Sequence, residues 1–534
     1  MAFCENCGER LAEGCVFCES CGAKVSTGPA EQKTTLENFE EELKNRSSCL
    51  SLFRGNDWEQ NWKRTVSMTR GKKVGIILTR GRALLNELSG GSPEELHSII
   101  NEYAGFCEKK GIHYYYLDLD DNAVGSSSGG VESTVALLQK INKAAQIKYL
   151  FILGNERVIQ VAKWEDLTED DQDVESDLCY TLLETGSPWE SGMFHISKAI
   201  RVGRLPVYGG EDFGLFRSYF ETVMAAAPHF ETTKKFGLSA LVWEDESNEE
   251  FSSFSKGEVE VSPEVSISNV KKYISPDINI FYFNLHGSNE TEYWYGQEGR
   301  RFPESVSPDL FNTSKKPYIV GVEACYGAKY TDGLTADDSI LLKAMTHKCI
   351  SFLGSSKIAY GTPTAPGCCA DVIIGEFLRQ ISNGETAGNA FLQGMKKLVS
   401  AGKRLDDAEV KTLAEFNLYG DPSVSTEMQQ IKSNSVSNIF SKIEIPMPDI
   451  RIPVRRSVAQ VREEIERKID DFAFQTYFTE YDLREKSGIR QKLYRLPDLG
   501  LNQKIFSQRL DHFQKIIKVY FDDTGKIKKV YESK

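Results

Sequence analysis

Two stretches decide the fold: Ile280-Phe281-Tyr282-Phe283-Asn284-Leu285-His286-Gly287-Ser288 and Tyr318-Ile319-Val320-Gly321-Val322-Glu323-Ala324-Cys325-Tyr326-Gly327-Ala328. Each opens as a nearly unbroken apolar run and closes on a short cluster of small and polar residues. A strand covered on both faces needs no polar alternation, so such runs read as buried strands of a parallel sheet. Working outward, runs of the same kind stand at Val74–Leu78, Tyr149–Leu153, Ile278–Leu285, Tyr318–Ala324 and Ile350–Leu353, with Ile358–Tyr360 close behind. Amphipathic segments of helical period separate them, at Pro93–Lys109, Thr134–Ala145, Phe213–Ala227, Ser339–Thr346 and Val372–Ser382. The alternation predicts an α/β fold, a mostly parallel sheet with helices on both faces.

In such sheets the chemistry gathers beyond the carboxyl ends of the strands. The first decisive run ends in His286-Gly287 and the second in Ala324-Cys325-Tyr326-Gly327. Consecutive crossover-connected strands put both ends on one edge of the sheet. A thiol and an imidazole there suit nucleophilic acyl transfer: the thiolate attacks a carbonyl carbon and the imidazole protonates the leaving amine. The small neighbours let a peptide backbone approach and leave main-chain N–H groups for an oxyanion. A lone buried Cys is ordinarily a small hydrophobe; the pairing of both residues at strand ends favours catalysis. Cys368-Cys369, in a Pro/Gly-rich loop, reads as wall material near the site.

The first 25 residues hold five of the twelve cysteines. Cys4-x2-Cys7 and Cys18-x2-Cys21 are each followed by glycine, a spacing that lets four thiolates enclose one structural Zn2+. Cys15 offers a second pairing with Cys18, but Cys18/Cys21 repeats the Phe-Cys-x-x-Cys-Gly frame of the first pair. The segment resembles the short bacterial zinc ribbons that precede unrelated proteins, and its charge suits a regulatory protein partner better than nucleic acid. Residues 26–70 read as a polar linker with a short helix, and 426–455 as a second linker. Residues 456–534 read as a small separate α+β domain, with a helix over Ser457–Asp471 and a hairpin around Asp-Asp-Thr-Gly. The acidic stretches Glu165–Asp177 and Glu244–Glu250 read as solvated loops.

The combination resembles the caspase-type cysteine peptidase clan, whose signature is His-Gly and Ala-Cys at these positions. Glu323 and Tyr326 depart from the caspase pattern. Within the clan the closer likeness is to the gingipain-type peptidases. Val202-Gly203-Arg204-Leu205-Pro206, Phe352-Leu353-Gly354-Ser355-Ser356 and Leu418-Tyr419-Gly420-Asp421-Pro422-Ser423 match further blocks of that family, so the likeness covers about 70–425. It implies a caspase-like α/β sandwich acting on protein or peptide substrates. Cys325 would be the nucleophile, His286 the general acid, and the N–H groups of Gly287 and Cys325 the oxyanion hole. It also implies cleavage after basic residues, with Asp212 and Asp177 as candidate pocket acids. The family commonly orients its histidine with an acid four positions before the glycine of Val-Gly-Arg; here Ala199 stands there.

Lys+Arg 64 against Asp+Glu 77 gives a net charge of −13, which argues against non-specific nucleic-acid or anionic-membrane binding. No apolar run reaches the length of a membrane span, and the first residues lack a secretory pattern, so a cytoplasmic location is expected. Two readings follow: a cysteine endopeptidase regulated by its flanking domains, or an inactive adaptor of the same fold that binds protein partners.

Overall fold

The computed structural model describes residues 58–534 except 70, 121–128, 167, 187–195, 197–198, 227–233, 363–365, 400–403, 426–456, 459–460, 479–487 and 511. The four proposed zinc ligands, Cys4, Cys7, Cys18 and Cys21, and most of both linkers lie outside them. Ten strands make the central sheet: β1 (Lys73–Thr79), β2 (Ile112–Asp118), β3 (Tyr149–Leu153), β4 (Arg201–Leu205), β5 (Lys235–Ala240), β6 (Glu260–Ser262), β7 (Ile280–Asn284), β11 (Tyr318–Val322), β12 (Cys349–Ser355) and β14 (Phe416–Tyr419). Their order is β6-β5-β7-β11-β12-β14-β4-β3-β1-β2. Every neighbouring pair is parallel except β12 with β14. The sheet is therefore two parallel halves of opposite direction, joined at β12 and β14. β7 and β11 are buried along their full length and pair directly, Phe283 opposite Val322, so their carboxyl ends emerge side by side.

Helices cover the sheet as the amphipathic segments require. Pro93–Lys109 forms over the predicted span: the Ser92 hydroxyl accepts the Glu95 N–H, Pro93 starts the first turn, and Leu96, Ile99, Ile100 and Tyr103 face inward. Strands β2, β4, β5, β6 and β14 escape the sequence reading because tyrosine, polar or charged residues interrupt their apolar runs. Among the described residues no helix is long and apolar enough to cross a membrane.

A hairpin leaves the end of β7, as β8 (His286–Gly287) pairs antiparallel with β9 (Trp294–Tyr295) and β9 with β10 (Glu304–Val306). A second sheet has the order β13 (Tyr360–Gly361), β19 (Ile527–Ser533), β18 (Gln514–Phe521), β17 (Leu501–Arg509), β16 (Ile489–Leu496), β15 (Ser457–Val458). The helix on it spans Glu463–Tyr477, six residues later than expected at each end. The predicted hairpin joins β18 to β19. Because β13 comes from the first part of the chain, this sheet is continuous with it, and Leu50–Lys534 form one compact unit. One face packs on the helix through Ile469, Ala473, Phe506 and Val519. The other shares an apolar cluster with Cys325, Ile358, Tyr360 and Cys369 through Ile505, Ile516, Tyr520 and Tyr531.

The acidic stretches are not solvated loops. Lys411, fully buried, pairs with Asp166 at 2.8 Å and Asp171 at 2.7 Å, and Lys518 with Asp170 at 2.6 Å. Residues Glu244–Ser252 are a helix, with the Glu246 side chain fully buried. Charge density marked these stretches as wet; burial became possible because lysines distant in sequence neutralise them.

Candidate active site

Gly287, directly after His286, packs against the Cys325 backbone. A Cβ on Gly287 would overlap the Cys325 carbonyl oxygen, so no larger residue fits after the histidine. The next residue on the other side, Tyr326, has a φ of 53°, a left-handed conformation costly for a bulky side chain. Its N–H donates to the Lys357 carbonyl at 2.8 Å and its hydroxyl to Asp171, which hold the turn. The N–H groups of Gly287 and Cys325 converge on one acceptor, the carbonyl oxygen of Lys534, at 3.5 and 3.2 Å. The Cys325 thiol donates to the Ala359 carbonyl at 3.6 Å. Burial pushes that thiol well above its ordinary value, so it is protonated in this closed arrangement.

The imidazole of His286 is enclosed by rings. Trp243 lies 4.4 Å away, and Phe513 stacks on it at 4.9 Å with 10° between planes. Burial, opposed by the Gln297 hydrogen bond, holds its pKa down to about 4, leaving it neutral. Nε2 meets Oε1 of Gln297 at 2.6 Å, while Nε2 of that amide donates to the Gly299 carbonyl. The amide oxygen thus accepts, the imidazole carries its proton on Nε2, and Nδ1 remains the basic nitrogen. Gln297 supplies what Ala199 does not. It returns along the hairpin just past β9, and nothing in the local sequence pattern marked it.

Beside this pair is a pocket of three carboxylates. Asp371 Oδ1 lies 3.1 Å from the Lys534 ammonium, Glu323 3.8 Å and Glu246 4.0 Å, all fully buried. The other Asp371 oxygen accepts the N–H groups of Thr362 and Cys368, both at 2.9 Å. Trp243 floors the pocket, its ring centre 4.3 Å from the ammonium. Burial, then the charge of Asp371, raises Glu246 to about 9 and Glu323 well above the carboxylate range. Burial alone would depress the Lys534 ammonium, but Asp371 and its two neighbours hold it above its ordinary value.

The two acids expected in this role lie elsewhere. Asp177 is bonded twice to the buried Arg204, at 2.6 and 2.8 Å, and Asp212 accepts the Gly214 N–H at the start of the helix Phe213–Ala226. Arg204 lies on β4 in the opposite half of the sheet and Gly214 in that helix, and neither acid pairs with Lys534. Glu323 stood in plain view, an acid within an apolar strand end. Glu246 was hidden in an acidic stretch, and Asp371 carried no signal.

The family model described as peptidase family C25 matches residues 92–427, more than half of the chain. The chain belongs to that family. It is a cysteine peptidase. Among solved structures the peptidase is similar to that described as the Arg specific cysteine proteinase gingipain R, at 10% identity and a TM-score of 0.47, over 86% of this chain and 97% of that one. It is also similar to one described as "Structure of Protease", at 11% identity and a TM-score of 0.41, over 86% and 90%. No curated protein sequence matches it.

Proposed function

We propose that this peptidase cuts on the carboxyl side of basic residues, lysine foremost, with Cys325 as nucleophile and His286 as proton carrier. Nδ1 of His286 takes the thiol proton, and the thiolate attacks the carbonyl carbon. The N–H groups of Gly287 and Cys325 hold the oxyanion, and the imidazolium protonates the departing amine. Water then hydrolyses the thioester on Cys325, breaking the C–S bond to release the new carboxylic acid and return the thiol. Gln297 acts as a positioning residue, fixing the tautomer.

The observation that carries the substrate class is the Lys534 pocket. Its carbonyl lies between the two oxyanion N–H groups while its ammonium meets Asp371, Glu246 and Glu323. Three acids around one point suit the three-donor ammonium; a guanidinium is longer and needs a planar fork. The test is a set of reporter peptides differing only before the cleaved bond. Lysine should exceed its neutral analogue norleucine at least 100-fold in kcat/KM, and Cys325→Ala and His286→Ala should each abolish cleavage. Equal rates for lysine and norleucine, or an active Cys325→Ala, would remove the assignment.

The proposal extends to a structural Zn2+ on Cys4, Cys7, Cys18 and Cys21, a protein partner for that ribbon, and a cytoplasmic workplace. These rest on the cysteine spacing and on the acidic balance of the sequence.

A further inference from the structure

β19 enters the cleft as a substrate strand would. It pairs antiparallel with β13, Tyr360 opposite Ser533 and Gly361 opposite Glu532. The Lys534 N–H donates to the Ala359 carbonyl at 3.0 Å, and its own carbonyl receives the N–H groups of Gly287 and Cys325. Two residues back, the Glu532 carboxylate accepts the Trp243 indole N–H at 3.2 Å. Main-chain pairing along an edge, with alternate side chains set in pockets, is peptide recognition by strand addition. The loop before β18 closes the other side: Phe513 stacks on the His286 imidazole, and the Ser288 hydroxyl donates to the His512 carbonyl.

We propose that β19 is a tethered substrate mimic: Glu532-Ser533-Lys534 fills the cleft of its own chain and must withdraw before a foreign peptide is cut. This rests on the lysine-pocket reading above.

The sheet that delivers β19 is anchored to the peptidase part away from the pocket. Lys518 pairs with Asp170, Lys529 with Asp406 at 2.9 Å and Glu409 at 3.1 Å, and the Tyr520 and Tyr531 hydroxyls donate to Asp407 and Asp406, both at 2.8 Å. A tether this close presents the mimic at an effective concentration on the order of millimolar. A foreign peptide of similar affinity at micromolar concentration would then occupy about one cleft in a thousand. The pocket contacts belong to Lys534, one residue past the strand, whereas the anchors lie farther back along the sheet. Removing the lysine side chain therefore weakens occupancy while the sheet stays docked.

The test compares full-length wild type with Lys534→Met and Lys534→Ala, Met preserving most of the buried volume should Ala fail to fold. Cys325 alkylation by iodoacetamide, read by peptide mass spectrometry, reports cleft occupancy independently of turnover. Cleavage of a lysyl reporter reports catalysis. At least tenfold faster alkylation in a folded variant is expected, with cleavage rising alongside. Unchanged alkylation in folded Lys534→Met overturns the mimic, even if both proteins cut lysyl peptides equally well. Faster alkylation without lysyl cleavage keeps the mimic and removes the substrate assignment.

Discussion

Gln297 accepts a hydrogen bond from the proposed proton carrier His286, and it is an amide where the sequence reading expects an acid. An amide fixes the tautomer and favours the protonated ring less than a carboxylate would. Gln297→Ala leaves the buried Nε2–H without an acceptor, at about 1–3 kcal/mol, and should lower kcat by roughly 10- to 100-fold with little change in KM. Gln297→Glu places a carboxylate beside the ring and raises the imidazole pKa. The acid limb of its pH–rate profile should move upward, an effect that loss of packing alone would not produce. The same histidine makes folding sensitive to acid. Its pKa is about 4 when folded, chiefly through burial, and near 6.5 when unfolded. Between those values the unfolded chain binds more protons, so this contribution is complete above about 6.5 and is lost as the pH falls toward 4. Linkage gives roughly 2 kcal/mol lost by pH 5. Denaturant midpoints at pH 7 and pH 5 should fall less in His286→Phe than in wild type; equal falls would refute the assignment. His286, Gly287 and Cys325 were legible because each closes an apolar run. Gln297 and Asp371 were not, because their partners, His286 and Lys534, lie in other elements and only folding joins them.

At the scale of elements, the short strand β13 works on two sheets' behalf. It follows β12 directly, supplies the edge that β19 joins, and presents Gly361 to the pocket. A Cβ there would overlap Cε of Lys534 and Oδ1 of Asp371. Gly361→Ala should therefore lower kcat/KM for lysyl peptides at least tenfold, while peptides with a small residue before the cleaved bond lose less; equal losses would mean that this wall is not where lysine binds. The acidic segment before β4 is held by Lys411, which meets Asp166 and Asp171 with no exposure to solvent. Lys411→Met strands two buried carboxylates and should cost about 3–5 kcal/mol in denaturant unfolding. The parallel strands around the site were readable from hydrophobic runs, and helices from their period. The reversal of direction at β12 and β14 was not, since sequence pattern carries no register. Nor was the fate of the acidic stretches, whose local composition is that of a wet surface.

Over the whole molecule, a sheet expected as a separate domain is continuous with the peptidase, sharing an apolar cluster with Cys325 itself. That union places Lys534 against the proposed catalytic pair, Cys325 and His286, with a buried, protonated thiol and a neutral imidazole. The N-terminal cysteines give a prediction at this scale: metal analysis of the purified chain should find one zinc per molecule, lost in Cys4→Ser/Cys7→Ser. The most direct measurement of the central claim is the intact mass of the protein after incubation with an acetyl-Glu-Ser-Lys chloromethyl ketone, with the adduct located by peptide mapping. A single adduct on Cys325, absent in Cys325→Ala and suppressed in Asp371→Asn, is the predicted result; an adduct on Cys368 or Cys369, or labelling indifferent to Asp371, would contradict it.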